Sequence, residues 1–137
     1  MKNKKKIPRR FILYIVIVAV FGMLASNPLR WSTESISNHV QRRIPLGTDI
    51  NEVVRKLEKH WKWKIREIND YGVQMIRGKP YHGFTKDRDT LFGEKSIEIY
   101  LGGYQDLPFR KNVCAFLIFD ENDKLIEVAV YKVSDSL

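Results

Sequence analysis

Three histidines, one cysteine and two close pairs of carboxylates are the residues of this chain best suited to chemistry. A zinc site needs its ligands on one face, which HxxxH, CxxC or HExxH spacings supply through one helical turn or one tight loop. His39, His60 and His82 fall on different expected elements and match none of these spacings. No metal and no cofactor is expected. Cys114 has no second cysteine to pair with and sits in the apolar run of residues 113–119. A nucleophilic thiol needs a neighbouring base or positive charge to lower its pKa, and no such neighbour is identifiable along the chain. It reads as a small buried hydrophobe.

Glu67 with Asp70, and Glu94 with Glu98, are close enough in sequence for paired acid–base work. Each also suits a plainer place as a strand-end or surface charge, and no neighbour that would perturb a pKa is identifiable. The acidic run DENDK, residues 120–124, lacks the twelve-residue spacing, the central glycine and the terminal bidentate glutamate of a calcium loop. It reads as a solvated turn. Without a phosphate-cradling glycine loop or a G-x-S-x-G turn either, no catalytic residue is expected.

The segment RGKPYHGFTKDRDTLFGE, residues 77–94, differs in composition from its surroundings. Tyr81, His82, Phe84 and Phe92 are interleaved there with Arg77, Lys79, Lys86 and Arg88. Loops beyond about 12–15 residues in compact domains are usually functional or disordered, and aromatic side chains with arginine are what protein interfaces use as anchors. A second loop, residues 102–112, carries Tyr104, Phe109 and Arg110 and can share one surface with the first. Tyr81, Phe84, Arg88, Tyr104 and Phe109 are therefore the candidate partner-binding residues. The competing reading is an excursion whose aromatics only cap the sheet edge.

The elements that would carry these loops follow from hydrophobic period. Residues 32–44 place Ile36, Val40 and Ile44 at spacing four behind Ser32 or Thr33, which predicts a helix ended by Pro45. A second helix begins at Thr48 or Asp49, with Glu52 at capping-box spacing and Ile50, Val53, Val54, Leu57 and Trp61 on one face. The period then falls to two at Trp61, Trp63 and Ile65, which predicts a strand. Further strands are expected at 73–76 and 96–101, and 113–119 with 125–133 form a hairpin across the acidic turn. Helices first and strands after, without alternation, give an α+β domain: two helices on one face of an antiparallel sheet of about four or five strands.

The formal charge of +8 is concentrated at one end: six Lys and Arg precede Phe11, and the remaining 18 stand against 16 Asp and Glu, a balance of +2. Nucleic-acid binding needs a sustained basic face, so no nucleic-acid partner is expected. Phe11 opens fifteen residues without a charge, and extension through Leu29 gives nineteen, spanning roughly 28 Å at about 1.5 Å per residue. Arg9 and Arg10 can snorkel at one end and Trp31 can sit at the other interface. The expectation is a basic cytoplasmic tail over 1–10, a transmembrane signal anchor over 11–29, a juxtamembrane helix or stalk over 30–44 and an exported domain over 45–137. The lipid bilayer is then one partner, through residues 11–29, with the N-terminus in the cytoplasm. The rival is a secretory signal peptide, although Gly22, Ala25 and Ser26 do not give the A-x-A cleavage spacing.

IPLGTDINEVVRKLEKHW, followed later by FDENDKLIEVAVYK, resembles a pattern of small single-pass exported bacterial proteins. More remotely it resembles the helix–helix–sheet domains of SmpA/OmlA-type outer-membrane assembly lipoproteins and of β-lactamase-inhibitor proteins. The matched positions are Gly47, Val53, Val54 and Leu57, then Phe119, Asp120, Leu125, Ile126 and Val128. This chain lacks the lipidated cysteine, and Lys59, His60 and Trp61 replace the ending expected after the helix. The resemblance implies a non-enzymatic, protein-binding domain. The sequence thus reads as a single-pass membrane protein whose exported α+β domain binds a protein partner without catalysis. The alternatives are a cell-envelope enzyme using unidentified carboxylates, or a secreted binding protein after signal cleavage.

Overall fold

The computed structural model of the protein describes residues 8–25, 27–60, 62–77, 79–81 and 91–135. A helix α1 spans Arg9–Ala25, a 3-10 turn Pro28–Arg30, α2 Thr33–Arg43 and α3 Ile50–Lys59. Strands β1 (Lys64–Asn69), β2 (Val73–Ile76), β3 (Lys79–Pro80), β4 (Leu91–Phe92), β5 (Lys95–Asp106), β6 (Phe109–Phe119) and β7 (Leu125–Ser134) follow.

The expected α+β class holds. Strands β1-β5-β6-β7 form one four-stranded antiparallel sheet, with α2 and α3 on one face. Ser32 caps α2 by accepting the Ser35 N–H at 3.1 Å. Asp49 caps α3 by accepting the Asn51 N–H at 3.0 Å. Glu52 pairs with Lys56 one turn on, at 2.9 Å. Ile36, Val40 and Ile44 from the α2 region and Val53 and Leu57 from α3 are buried against Ile97, Ile99, Leu101, Leu117, Phe119 and Val128 of the sheet. Helix α2 is part of this core rather than a stalk beside it. Trp61, expected on the α3 face, lies outside the described residues.

The transmembrane span is corrected. No helix among the described residues is long and apolar enough to cross a membrane. Helix α1 has 17 residues and includes Arg9 and Arg10, so its uncharged stretch stays at the fifteen residues of 11–25. The nineteen-residue span depended on running the helix through Leu29, and the chain does not do so. Asn27 accepts the Leu29 N–H at 3.0 Å and starts a separate turn, and Leu29 packs against the helix-face core. The membrane, transmembrane-helix, single-pass and signal-anchor assignments fall with that span. The bilayer contact through residues 11–29 rested on the same span.

A second layer was not anticipated. Cys114, Phe116, Ile118, Ala129 and Tyr131 face away from the helices, and Val73 and Met75 pack onto them. These come from a small sheet of order β3-β2-β4, built from the return strand and the two ends of the expected 77–94 loop. Burial on both faces is why β6 reads as a continuous apolar run rather than an alternation.

The second expected loop, 102–112, is also corrected. Strand β5 continues to Asp106 and β6 starts at Phe109, leaving Leu107 and Pro108, joined by a cis peptide bond, at the turn. Gly102 signals a bulge rather than a strand end: the register shifts between Tyr100 and Gly102 and then continues. Its φ is +137°, and a Cβ there would meet Leu29 Cδ1 at 2.8 Å. Glycine at this bulge lets Leu29 close over the sheet.

Candidate functional site

Where the Pro28–Arg30 turn, α2 and the α3–β1 connection meet, a cleft of about 470 Å³ opens. Leu29, Ile36, Val40 and Leu101 supply its apolar lining, with Trp31, His39, Arg43, His60, Lys62 and Trp63 among the other residues around it. Local sequence places each of these. His39 and Arg43 are four apart on α2 and so share a face. His60 is the C-cap of α3, its N–H bonded to the Leu57 carbonyl, and the Trp63 N–H returns to the His60 carbonyl at 3.2 Å. That tight connection brings the Trp63 ring back over His60.

The rings form a continuous series. Trp31 and His39 meet edge to face at 6.5 Å, and so do His39 and Trp63. His60 stacks on Trp63 with centroids 4.2 Å apart. The Arg43 guanidinium lies 5.6 Å from the Trp63 centroid, within cation–π range. Its Nη1 is 2.7 Å from His60 Nε2.

A guanidinium only donates, so His60 Nε2 accepts and the ring proton sits on Nδ1. That Nδ1 is buried and makes no well-formed hydrogen bond, its own backbone carbonyl being the one acceptor that acts on it. Burial first, then the charges of Arg43 and Lys62, hold the His60 pKa below the ordinary imidazole value, while its own backbone carbonyl pulls the other way. His39 is lowered likewise, by burial and then by Arg43 and Arg42. Both shifts favour the neutral imidazole. No aspartate or glutamate is among the described residues lining the cleft.

The sequence candidates are dispersed. Tyr104 is half-buried on the helix face, with Arg30 and Lys132 each 5.3 Å from its ring. It adjoins the cleft through the Leu29–Arg30 turn, whose Arg30 Nη2 donates to the Gln105 carbonyl at 2.7 Å. Phe109 pairs with Asp106 at the hairpin end and is 46% exposed. Tyr81 is 49% exposed and follows β3 in the second layer, its N–H bonded to the Gln74 carbonyl. Tyr81 and Tyr104 thus belong to opposite layers and are not brought together. Phe84 and Arg88 lie outside the described residues, as does His82.

A second polar cluster lies under the β2 layer. Buried Glu98 accepts from Arg66 Nη1 at 3.1 Å and forms a short hydrogen bond with the Tyr131 hydroxyl. Arg66 Nη1 is also 3.5 Å from Cys114 Sγ. The expectation that Cys114 has no cationic neighbour is therefore corrected: the partner comes from β1, far away in sequence. The thiol itself is wholly buried, as expected. Glu98 is engaged by Arg66 and Tyr131. Among the described residues no group of three or more His, Cys, Asp or Glu is placed to hold a metal.

The cleft was not found in the sequence, although His39 and Arg43 at i and i+4 beside a tryptophan-flanked His60 were a usable signal. Comparison with protein-family models, with curated proteins and with solved structures found no match.

Proposed function

We propose that this domain is a non-catalytic binding module that recognises a partner protein through the cleft between α2 and the α3–β1 connection. The observation that carries the reading is the aromatic series Trp31–His39–Trp63–His60 with Arg43 at its end, around an apolar lining. Tryptophan and arginine in a concave setting are the side chains that dominate protein interfaces. Its volume is that of a small-ligand or side-chain pocket.

Catalysis is disfavoured by the same geometry. A general base needs its conjugate acid stabilised, usually by a carboxylate that orients the imidazole. Here His60 Nε2 is occupied by a cation, and the charged neighbours that shift both histidines oppose protonation. Phe109 at the β5–β6 hairpin end fits a secondary partner contact, Tyr104 holds Arg30 beside the cleft, and Tyr81 in the opposite layer is set apart from it.

Affinity capture with the tagged full chain, before and after Trp63→Ala, tests this. Partner recovery is expected to fall at least about tenfold, as for an interface anchor, and because Trp63 also packs partly against the helix-face core, circular dichroism must show that the variant is folded. Equal recovery by a folded Trp63→Ala protein removes the cleft from recognition.

A further inference from the structure

We infer that the end of the main sheet beside the cleft docks an acidic segment of the partner protein, one apolar side chain of that segment being seated in the cleft. This rests on the partner-binding reading above and names the chemistry of the partner.

The fold gathers the charge. At the β5–β6 hairpin end Tyr104 pairs with Lys111 and Asp106 with Phe109, so these four share the helix face of the sheet. Lys132 comes to the same place from β7 and Arg30 from the turn before α2, each 5.3 Å from the Tyr104 ring centroid. Lys111 Nζ is 2.6 Å from Asp106 Oδ2. All three cations act on that one carboxylate: the Lys111 bond holds it below the usual carboxylate range, and Arg30 and Lys132 add to the effect.

Asp106 offsets Lys111 and leaves the other two charges in excess. Arg30 Nη2 donates to the Gln105 carbonyl and Lys132 Nζ to the Trp31 carbonyl, both at 2.7 Å. No Asp or Glu among the described residues forms an ion pair with either. Neutral carbonyls do not cancel the charge. A guanidinium has five N–H donors and an ammonium three, so both keep donors for an incoming carboxylate.

The apolar part of the surface is continuous with the cleft. Trp31 lines the cleft while its carbonyl holds Lys132, so one residue borders both regions. Trp31 is 45% exposed, Phe109 46% and Leu107 86%. An extended segment running from the cleft past Trp31 to the hairpin end covers these side chains and sets its carboxylates against Arg30 and Lys132. A small anion would use the charge and leave the aromatics uncovered. A flat anionic lipid surface would meet the hairpin end but not enter a concave cleft.

Calorimetric titration of the full chain tests this with a short peptide carrying one leucine among glutamates, and with the same peptide having glutamine at each glutamate. The glutamate peptide is expected to bind at least about tenfold more tightly at low salt, with the margin shrinking as salt screens it. Arg30→Gln/Lys132→Gln should abolish the margin, and Lys132→Arg, which keeps the charge, should preserve it. Lys56→Gln/Lys124→Gln, which removes the same charge around α3, should leave it intact. Trp63→Ala should weaken both peptides alike.

Equal binding of the two peptides, or equal losses with the two double substitutions, overturns the acidic-segment assignment and leaves the cleft to the capture test. Affinities unchanged by a folded Trp63→Ala protein overturn the seating in the cleft and the cleft reading with it. Stronger retention on phosphatidylglycerol vesicles than by the glutamate peptide, lost in Arg30→Gln/Lys132→Gln, would make this surface a lipid contact and overturn the proposal.

Discussion

Arg43 Nη1 donates to His60 Nε2 at 2.7 Å, so a residue near the end of α2 decides which nitrogen of the α3 cap carries the proton. Protonating His60 would set two donors against each other across that contact.

A pH dependence follows. Burial and neighbouring cations lower the folded pKa values of His39 and His60 below the ordinary 6.5. The unfolded chain then binds more protons just below pH 6.5, so this contribution is complete above that pH and is lost as pH falls through the folded values. Denaturant unfolding between pH 8 and pH 5 should show stability declining below about 6.5. The decline should flatten in His39→Gln/His60→Gln. Imidazole NMR titration giving His60 a midpoint at or above 6.5 would contradict the tautomer.

Leu57 and Tyr81 should separate core from surface. Leu57 is buried between α3 and the sheet, and its truncation to alanine is expected to cost about 2–5 kcal/mol. Tyr81 is half-exposed beyond β3, and Tyr81→Ala should stay within about 0.5 kcal/mol. Equal losses in chemical denaturation would make Tyr81 part of the second-layer core.

The Glu98–Tyr131 bond gives a spectroscopic prediction. Burial, then the Glu98 hydrogen bond, raises the Tyr131 pKa far above the ordinary tyrosine value. Ultraviolet titration should therefore leave one phenol un-ionised until the domain unfolds in alkali. Tyr131→Phe should remove that resistant group and cost about 1.5–3 kcal/mol, as for a hydrogen bond to a charged acceptor. Full ionisation of the native protein near pH 10 would rule the bond out.

Gly47 closes the turn that joins α2 to α3. Its φ is +83° with open space around the missing Cβ, so conformation alone sets the cost of a side chain. Gly47→Ala should lose about 1–2 kcal/mol in thermal unfolding, the penalty for a left-handed L-residue. An unchanged midpoint would mean the turn relaxes.

Local pattern carried most of the scaffold. Ser32 and Asp49 as helix caps, the α3 stripe of Val53 and Leu57, and the β6–β7 hairpin across residues 120–124 were all legible, because capping and periodicity are settled by residues within one turn or one strand. What failed were decisions between neighbours that only packing makes. Leu29 and Trp31 read as the outer end of a membrane span, yet one packs on the core and the other lines a cleft. Gly102 read as a strand end, but the sheet absorbs it as a bulge under Leu29. The cleft itself joins residues 31, 39, 43, 60 and 63 from three segments, and Cys114 meets Arg66 across strands far apart in sequence. Such relations depend on which face of one element meets another, and that is set by burial of the whole core rather than by any local run of residues.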